Sequence, residues 1–156
     1  MPAGLRELHL WNIPMKALPD SLPATLHTLH LSGHKITSLD HVSLPKGLRE
    51  LVLREMPIAS LDRVRLPAGL QRLRLSTMKG ITSLDGLVLP RSLKMLQLNS
   101  LSVQSLENVS LPTHLEYLRL SSIRINKCPT LPDHLKHLLL FDLGLLSFVE
   151  ALPIGL

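Results

Sequence analysis

"LPKGLRELVL" fills residues 44–53 and "LPAGLQRLRL" fills residues 66–75. The leucines keep their places while nearly everything between them changes. A chain written this way separates the residues that build it from those free to touch something else, so self-similarity is the first property to follow. Prolines at 2, 23, 45, 67, 90, 112, 132 and 153 open the same phrase at spacings of 20 to 23 residues. Seven copies carry L-x-x-L-x-L: Leu5/Leu8/Leu10, Leu26/Leu29/Leu31, Leu48/Leu51/Leu53, Leu70/Leu73/Leu75, Leu93/Leu96/Leu98, Leu115/Leu118/Leu120 and Leu135/Leu138/Leu140. An eighth begins at Leu156.

The last two leucines of each phrase are two residues apart, so on an extended segment they share one face and their neighbours point the other way. That predicts a short strand per phrase, one side buried and one free. A second apolar set follows, clearest as Ile36, Leu39, Val42 and Leu44 in one unit and Ile81, Leu84, Leu87 and Leu89 in another. These residues must fold back over the strand. Proline interrupts every unit and no long helical period appears, which predicts extended, turn-like or single-turn 3₁₀ connections. Near-translational units imply parallel strands joined by right-handed crossovers, stacked because one coil cannot bury its leucines alone. Leu-Pro-x-Gly at 44–47 and 66–69 fits a type I turn with proline second and glycine fourth.

The chain thereby resembles the leucine-rich repeat proteins over essentially its whole length, as a single domain of about seven repeats spanning 1–156. The short LP-initiated units are similar to bacterial-effector-type repeats and, through "WNIP" and "EMPI", to FNIP-type repeats. The resemblance implies a right-handed superhelix with a parallel sheet on the concave face and turns or 3₁₀ segments on the convex face. It also implies that the concave face binds. One departure stands out: the family's asparagine, three residues after the last leucine, is replaced by Ile13, His34, Met56, Met78, Leu101, Ile123 and Leu143. Some other group must satisfy the turn backbone there, and Ser38, Ser60, Ser83 and Ser105 stand in register to do it.

With the leucines inward, three columns face outward. The first runs Glu7, Thr28, Glu50, Arg72, Met95, Tyr117, His137; the second His9, His30, Val52, Arg74, Gln97, Arg119, Leu139; the third Trp11, Ser32, Arg54, Ser76, Asn99, Ser121, Phe141. Strands about 4.8 Å apart would make this surface roughly 30 Å long. Arg54, Arg72 and Arg74 fall on adjacent strands, with Arg119 further along, giving a basic centre around Glu50, with Trp11, Tyr117 and Phe141 toward the ends. Arginine, tryptophan and tyrosine are the types that most often anchor interfaces. These eight residues are the candidate partner-binding set; the plainer reading is soluble charge on a sheet and exposed terminal core. A further column, Arg6, His27, Arg49, Gln71, Lys94, Glu116 and Lys136, reads as solvated charge that blunts aggregation, the alternative being a guide for an anionic ligand along the edge. Asp40, Asp62, Asp85 and Glu107 read as turn residues, because the glycine-rich aspartate repeat that binds calcium is absent.

The totals fit this picture. Seventeen Lys+Arg against 12 Asp+Glu give a net charge of +5, with a pI near 9.8, which favours acidic partners. A single cysteine, Cys128, forbids an internal disulfide, and Met1-Pro2 leads straight into repeat sequence with no leader. Both argue for a cytoplasmic protein. The leucine-dense C-terminal stretch is interrupted by Asp142 and Glu150, against a membrane span.

Other chemistries fare worse. His27, His30 and His34 cluster in sequence, but His27 and His30 cannot converge from one strand and no cysteine or carboxylate completes a tetrahedral set, so no metal or other cofactor is expected. His114 and His134 share a repeat position and should stack. Cys128 falls where other units bury leucine and reads as core filler. No nucleotide or protease motif is present. Nucleic acid is disfavoured because the central columns lack stacking aromatics. Nothing polar caps either end, which predicts a fragment of a larger protein or end-to-end pairing of copies. The sequence therefore predicts a non-enzymatic protein-binding module for an acidic partner surface. The alternatives are the substrate-recognition portion of a larger effector, ligase or receptor; a binder of RNA or sulfated sugar; and a hydrolase built on Cys128.

Overall fold

Leucines two apart, between residues that tolerate water, make each phrase a strand with one apolar edge. In the computed structural model, which describes residues 2, 4–33, 35–126 and 129–144, seven such strands form: β1 (Glu7–Trp11), β2 (Thr28–Ser32), β3 (Glu50–Arg54), β4 (Arg72–Met78), β5 (Met95–Leu101), β6 (Tyr117–Ser121) and β7 (His137–Phe141). They pair in sequence order into one parallel sheet. The register is the one the columns require, with Leu51 opposite Leu73, Arg72 opposite Met95, and Arg74 opposite Gln97 opposite Arg119. No described residue is helical or 3₁₀; extended segments and single turns make the returns.

The core is one ladder of aliphatic side chains. All three leucines of the second through sixth phrases are buried, as are Ile36, Leu39, Ile58, Leu61, Ile81, Leu84, Val103 and Leu106 from the return segments. Val42, Leu44 and Leu89 pack against it half-buried. The leucines of β1 and β7 are also half-buried, each strand having one neighbour among the described residues. Cys128, His34 and the segment from residue 145 to Leu156 lie outside the described residues, and with them the expectations about core filling and the apolar C-terminal end.

The proline turn needs a correction. Leu48 N–H donates to Pro45 O at 3.0 Å and Leu70 N–H to Pro67 O at 3.0 Å, and Leu26, Leu93, Leu115 and Leu135 repeat the bond in their own coils. Proline is thus the first residue of the turn, not the second. It has no N–H to lose and supplies only a carbonyl acceptor. Gly47 and Gly69 fall third, without a positive φ, which is why Thr25 and Ser92 can replace them. Ser92 Oγ donates to Leu70 O at 2.6 Å, and Thr25 Oγ1 to Leu5 O at 2.8 Å.

The missing asparagines are explained by what took their place. Met56, Met78, Leu101, Ile123 and Leu143 are buried there, so in these coils the position has joined the core, while Ile13 in the first coil is exposed. Its backbone duty moves to the residue before. Asn12, Gly33, Glu55, Thr77, Ser100, Ser122 and Asp142 all take the left-handed conformation, with φ from 50° to 70°. This turns the chain near the C-terminal end of each strand, inside β4 and β5 and one residue past the others. It also aims an N–H at the next coil: Asn12 to Ser32 O (2.8 Å), Gly33 to Arg54 O (3.1 Å), Glu55 to Ser76 O (3.0 Å) and Ser122 to Phe141 O (2.9 Å). Farther round, Ser38, Ser60, Ser83 and Ser105 accept the N–H of Asp40, Asp62, Asp85 and Glu107 at 2.9–3.1 Å, so they satisfy turn backbone as expected, but at a later turn of the coil and not in the asparagine's place. The acidic residues are turn residues there.

Left-handed backbone costs an ordinary residue about 1–2 kcal/mol, more when the side chain is β-branched. Thr77, at φ 54°, therefore stores strain. Thr77→Gly is expected to raise stability by about 1 kcal/mol net of glycine's extra chain entropy, read as a higher urea midpoint; a lower midpoint would show that Thr77 fits its turn without strain.

Candidate functional site

The strand ladder carries the outward residues to one continuous face, opposite the leucine core. All eight candidate residues stand on that face in their expected columns. Their surroundings divide them.

Arg72 and Arg54 are engaged. Arg72 Nε donates to Glu50 Oε2 at 2.8 Å, and the same carboxylate accepts from His30 Nε2 at 3.2 Å through Oε1. The Glu50 side chain is only 14% exposed, so this carboxylate belongs to the architecture of the face. Arg54 Nε meets Glu55 Oε1 at 2.9 Å, and Glu55 reaches it from the left-handed turn rather than from a column. That exposed pair is worth little stability, about 0–1 kcal/mol, but it offsets the Arg54 charge.

Arg74 and Arg119 are different. Arg74 Nη2 reaches only the Met95 sulfur, at 3.8 Å, and its Nε is buried with no hydrogen-bond partner. A thioether is a weak acceptor. Arg119 lies over the Phe141 ring, 5.2 Å from its centroid, a cation–π contact. Neither has an ion-pair partner among the described residues. Between them on β5 stands Gln97, half-buried. Beside this row runs an amide–hydroxyl rail that sequence reasoning missed: Asn99 Nδ2 donates to Ser76 Oγ (3.2 Å), and Ser121 Oγ donates to Asn99 Oδ1 (2.9 Å). The third column signals it in retrospect, since Ser-Asn-Ser is the sequence of short hydrogen-bonding side chains that can span adjacent strands.

The aromatic anchors sit apart. Trp11 is 66% exposed and Phe141 51%, while Tyr117 is half-buried against His137, 5.9 Å away. Trp11, His30, Val52 and Arg54 line an open hollow of about 380 Å³ over β1–β3. His9 packs edge-on against His30, with ring centroids 4.2 Å apart. No group of three or more His, Cys, Asp or Glu converges as metal ligands would among the described residues. His114 and His134 do stack, 5.7 Å apart and 15° from parallel. In the flanking basic column, Glu116 bridges Lys136 (2.9 Å) and Lys94 (3.6 Å). The Lys136 hydrogen bond and charge hold the Glu116 carboxyl below its ordinary range, so that edge is partly self-neutralised.

The His30–Glu50–Arg72 chain gives the face a defined acid response. Burial, chiefly, and then His9 lower His30 from its ordinary 6.5, against the opposing pull of Glu50. At neutral pH its contact with Glu50 is therefore a hydrogen bond from a neutral imidazole. Burial pushes Glu50 upward, but the Arg72 hydrogen bond and charge, with His30, carry it net below its ordinary 4.5. Both folded values are depressed, so both groups bind protons more readily when unfolded. Their stabilisation is complete above the unfolded values and is lost as pH falls. Melting temperature should decline first below about pH 6.5 and again below about pH 4.5. His30→Gln should remove the first decline and Glu50→Gln the second; profiles unchanged by both substitutions would contradict this account.

Among solved structures, the chain is similar to YopM from Yersinia enterocolitica WA-314, at 27% sequence identity and a TM-score of 0.72. The match covers 93% of this chain and 30% of that one, so the chain spans under a third of its neighbour's length. No family model and no curated protein sequence matches the chain.

Proposed function

We propose, from the premise that the chain is a leucine-rich-repeat solenoid, that it is a non-enzymatic protein-interaction module whose open sheet face holds an acidic surface of a partner. Solenoids of this kind typically serve as interaction scaffolds, with the extended face of the repeat presenting variable side chains. The observation that carries the reading is the pair of arginines, Arg74 and Arg119, which have no carboxylate partner among the described residues on a face where Arg54 and Arg72 have theirs. A guanidinium gains most from a carboxylate that it can hold bidentately. Trp11, Tyr117 and Phe141 supply apolar contact at the two ends. A cytoplasmic location agrees with the single cysteine, and a role as the recognition portion of a larger protein agrees with the short coverage of YopM.

The test is an affinity pulldown that compares the wild type with Arg74→Glu/Arg119→Glu and with Arg63→Glu/Arg65→Glu. Arg63 and Arg65 line a hollow with Asp40, Asp62 and Val88, on the return segments away from the sheet. Partners lost with the first pair and kept with the second support the reading. The reverse pattern would place binding on the other side of the coil.

A further inference from the structure

We propose that the row Arg74–Gln97–Arg119 is a docking strip for an acidic partner segment that crosses the strands in polyproline II form, with two carboxylates three residues apart. The inference rests on the reading above and goes further, to the shape and spacing of what binds.

Three observations define the strip. The first is its spacing. Arg74, Gln97 and Arg119 are direct register partners on β4, β5 and β6. Parallel strands lie about 4.8 Å apart, so the two arginines rise from backbones roughly 9.6 Å apart. A polyproline II segment has three residues per turn and a rise of about 3.1 Å, which returns a side chain to the same side every ~9.3 Å. In a β-strand, same-side residues recur every ~6.7 Å, too short for both arginines. A helix brings residues seven apart to one side at about 10.5 Å, slightly too long.

The second observation is what lies midway. Gln97 makes no side-chain hydrogen bond among the described residues, and an amide offers both donor and acceptor. Its complement is exposed backbone. A helix has none to give along its length, because its N–H and C=O groups bond one another. A polyproline II segment has its backbone entirely free, and prolines keep their carbonyls, so the Gln97 side-chain N–H can donate to a carbonyl between the two carboxylates.

The third is the state of the arginines. Arg74 holds a buried Nε without a partner, and its one hydrogen bond among the described residues goes to the Met95 sulfur. Arg119 is set over Phe141, which leaves the guanidinium edge open to a carboxylate. The Ser76–Asn99–Ser121 rail is internally bonded. It fixes one wall of the strip and does not compete for the ligand's charge. Met95 and Tyr117 form the other wall and suit the apolar rings of prolines.

Fluorescence anisotropy with synthetic labelled peptides tests this. The probes contain Glu-Pro-Pro-Glu, Glu-Pro-Glu or Gln-Pro-Pro-Gln in a common neutral frame; a heparin fragment and a single-stranded RNA are the polymer arms. The Glu-Pro-Pro-Glu peptide should bind about tenfold more tightly than Glu-Pro-Glu, and Gln-Pro-Pro-Gln should not bind. Arg74→Gln and Arg119→Gln should each weaken binding about tenfold. Arg65→Gln, away from the sheet, should leave it unchanged. If both acidic spacings bind equally yet depend on Arg74 and Arg119, the spacing inference fails and the open-face reading stands. Acidic binding that ignores both arginines overturns both. Tight heparin or RNA binding with steep salt dependence and no peptide binding would assign the strip to an anionic polymer instead.

Discussion

Leu73→Ala is expected to lower stability by about 2–5 kcal/mol, the range for emptying a leucine site in a core that cannot collapse around the loss. Leu73 is 1% exposed, between Leu51 and Leu96 on the flanking strands, so the cavity opens in the middle of the stack. The effect should spread through the array, because each coil is stabilised mainly by its two neighbours and a weak interface splits a solenoid into less cooperative halves. Chemical denaturation should therefore show both a lower midpoint and a shallower transition. The adjacent Arg74→Ala offers the sharpest contrast. It removes a side chain whose buried Nε has no partner, so the stability change should be within about 0.5 kcal/mol of zero. Equal losses at positions 73 and 74 would mean that the two faces of the strand are not distinct.

The second large effect concerns binding. Arg74→Glu with Arg119→Glu should weaken capture of an acidic partner by about 100-fold or more, as each reversal replaces an attraction with a repulsion. Circular dichroism should stay that of the wild type, since neither arginine holds a carboxylate among the described residues. Arg72→Ala should behave in the opposite way. It strips Glu50 of its main cation, leaving a largely buried carboxylate with only His30. A cost of about 1–2 kcal/mol is expected, below the 3–5 kcal/mol of fully buried pairs because Arg72 itself is half in water. Isothermal titration and urea melts on the same three proteins separate the two classes of arginine. A binding defect as large in Arg72→Ala as in the double reversal would erase the distinction.

That distinction shows where sequence reading stops. L-x-x-L-x-L in seven copies carries enough periodicity to set strand positions, pairing order and register, because a slip of one residue would turn Leu51 and Leu73 to water. The columns followed from that register alone. The serine turns at Ser38, Ser60, Ser83 and Ser105 were legible for the same reason, since they recur in phase. What recurs less regularly was hidden. Glu55 reaches Arg54 from the left-handed residue just past β3, and nothing in a glutamate, threonine or serine announces a positive φ as glycine would. The proline turn was placed one residue early, because Pro-x-Gly matches a common turn pattern when the carbonyl that closes the bond is unknown. The register put four arginines on the face and could not say which two were already paired.

The open sheet face, with Gln97 at its centre, is the surface proposed to meet a partner. A photo-crosslinking amino acid placed at Gln97, and separately at Val88, which is 80% exposed away from the sheet, reads this directly. The expected result is a covalent adduct with the acidic partner from position 97 and none from position 88. An adduct from position 88 alone would show that the partner meets the return segments, and that the columns of the sheet recognise nothing.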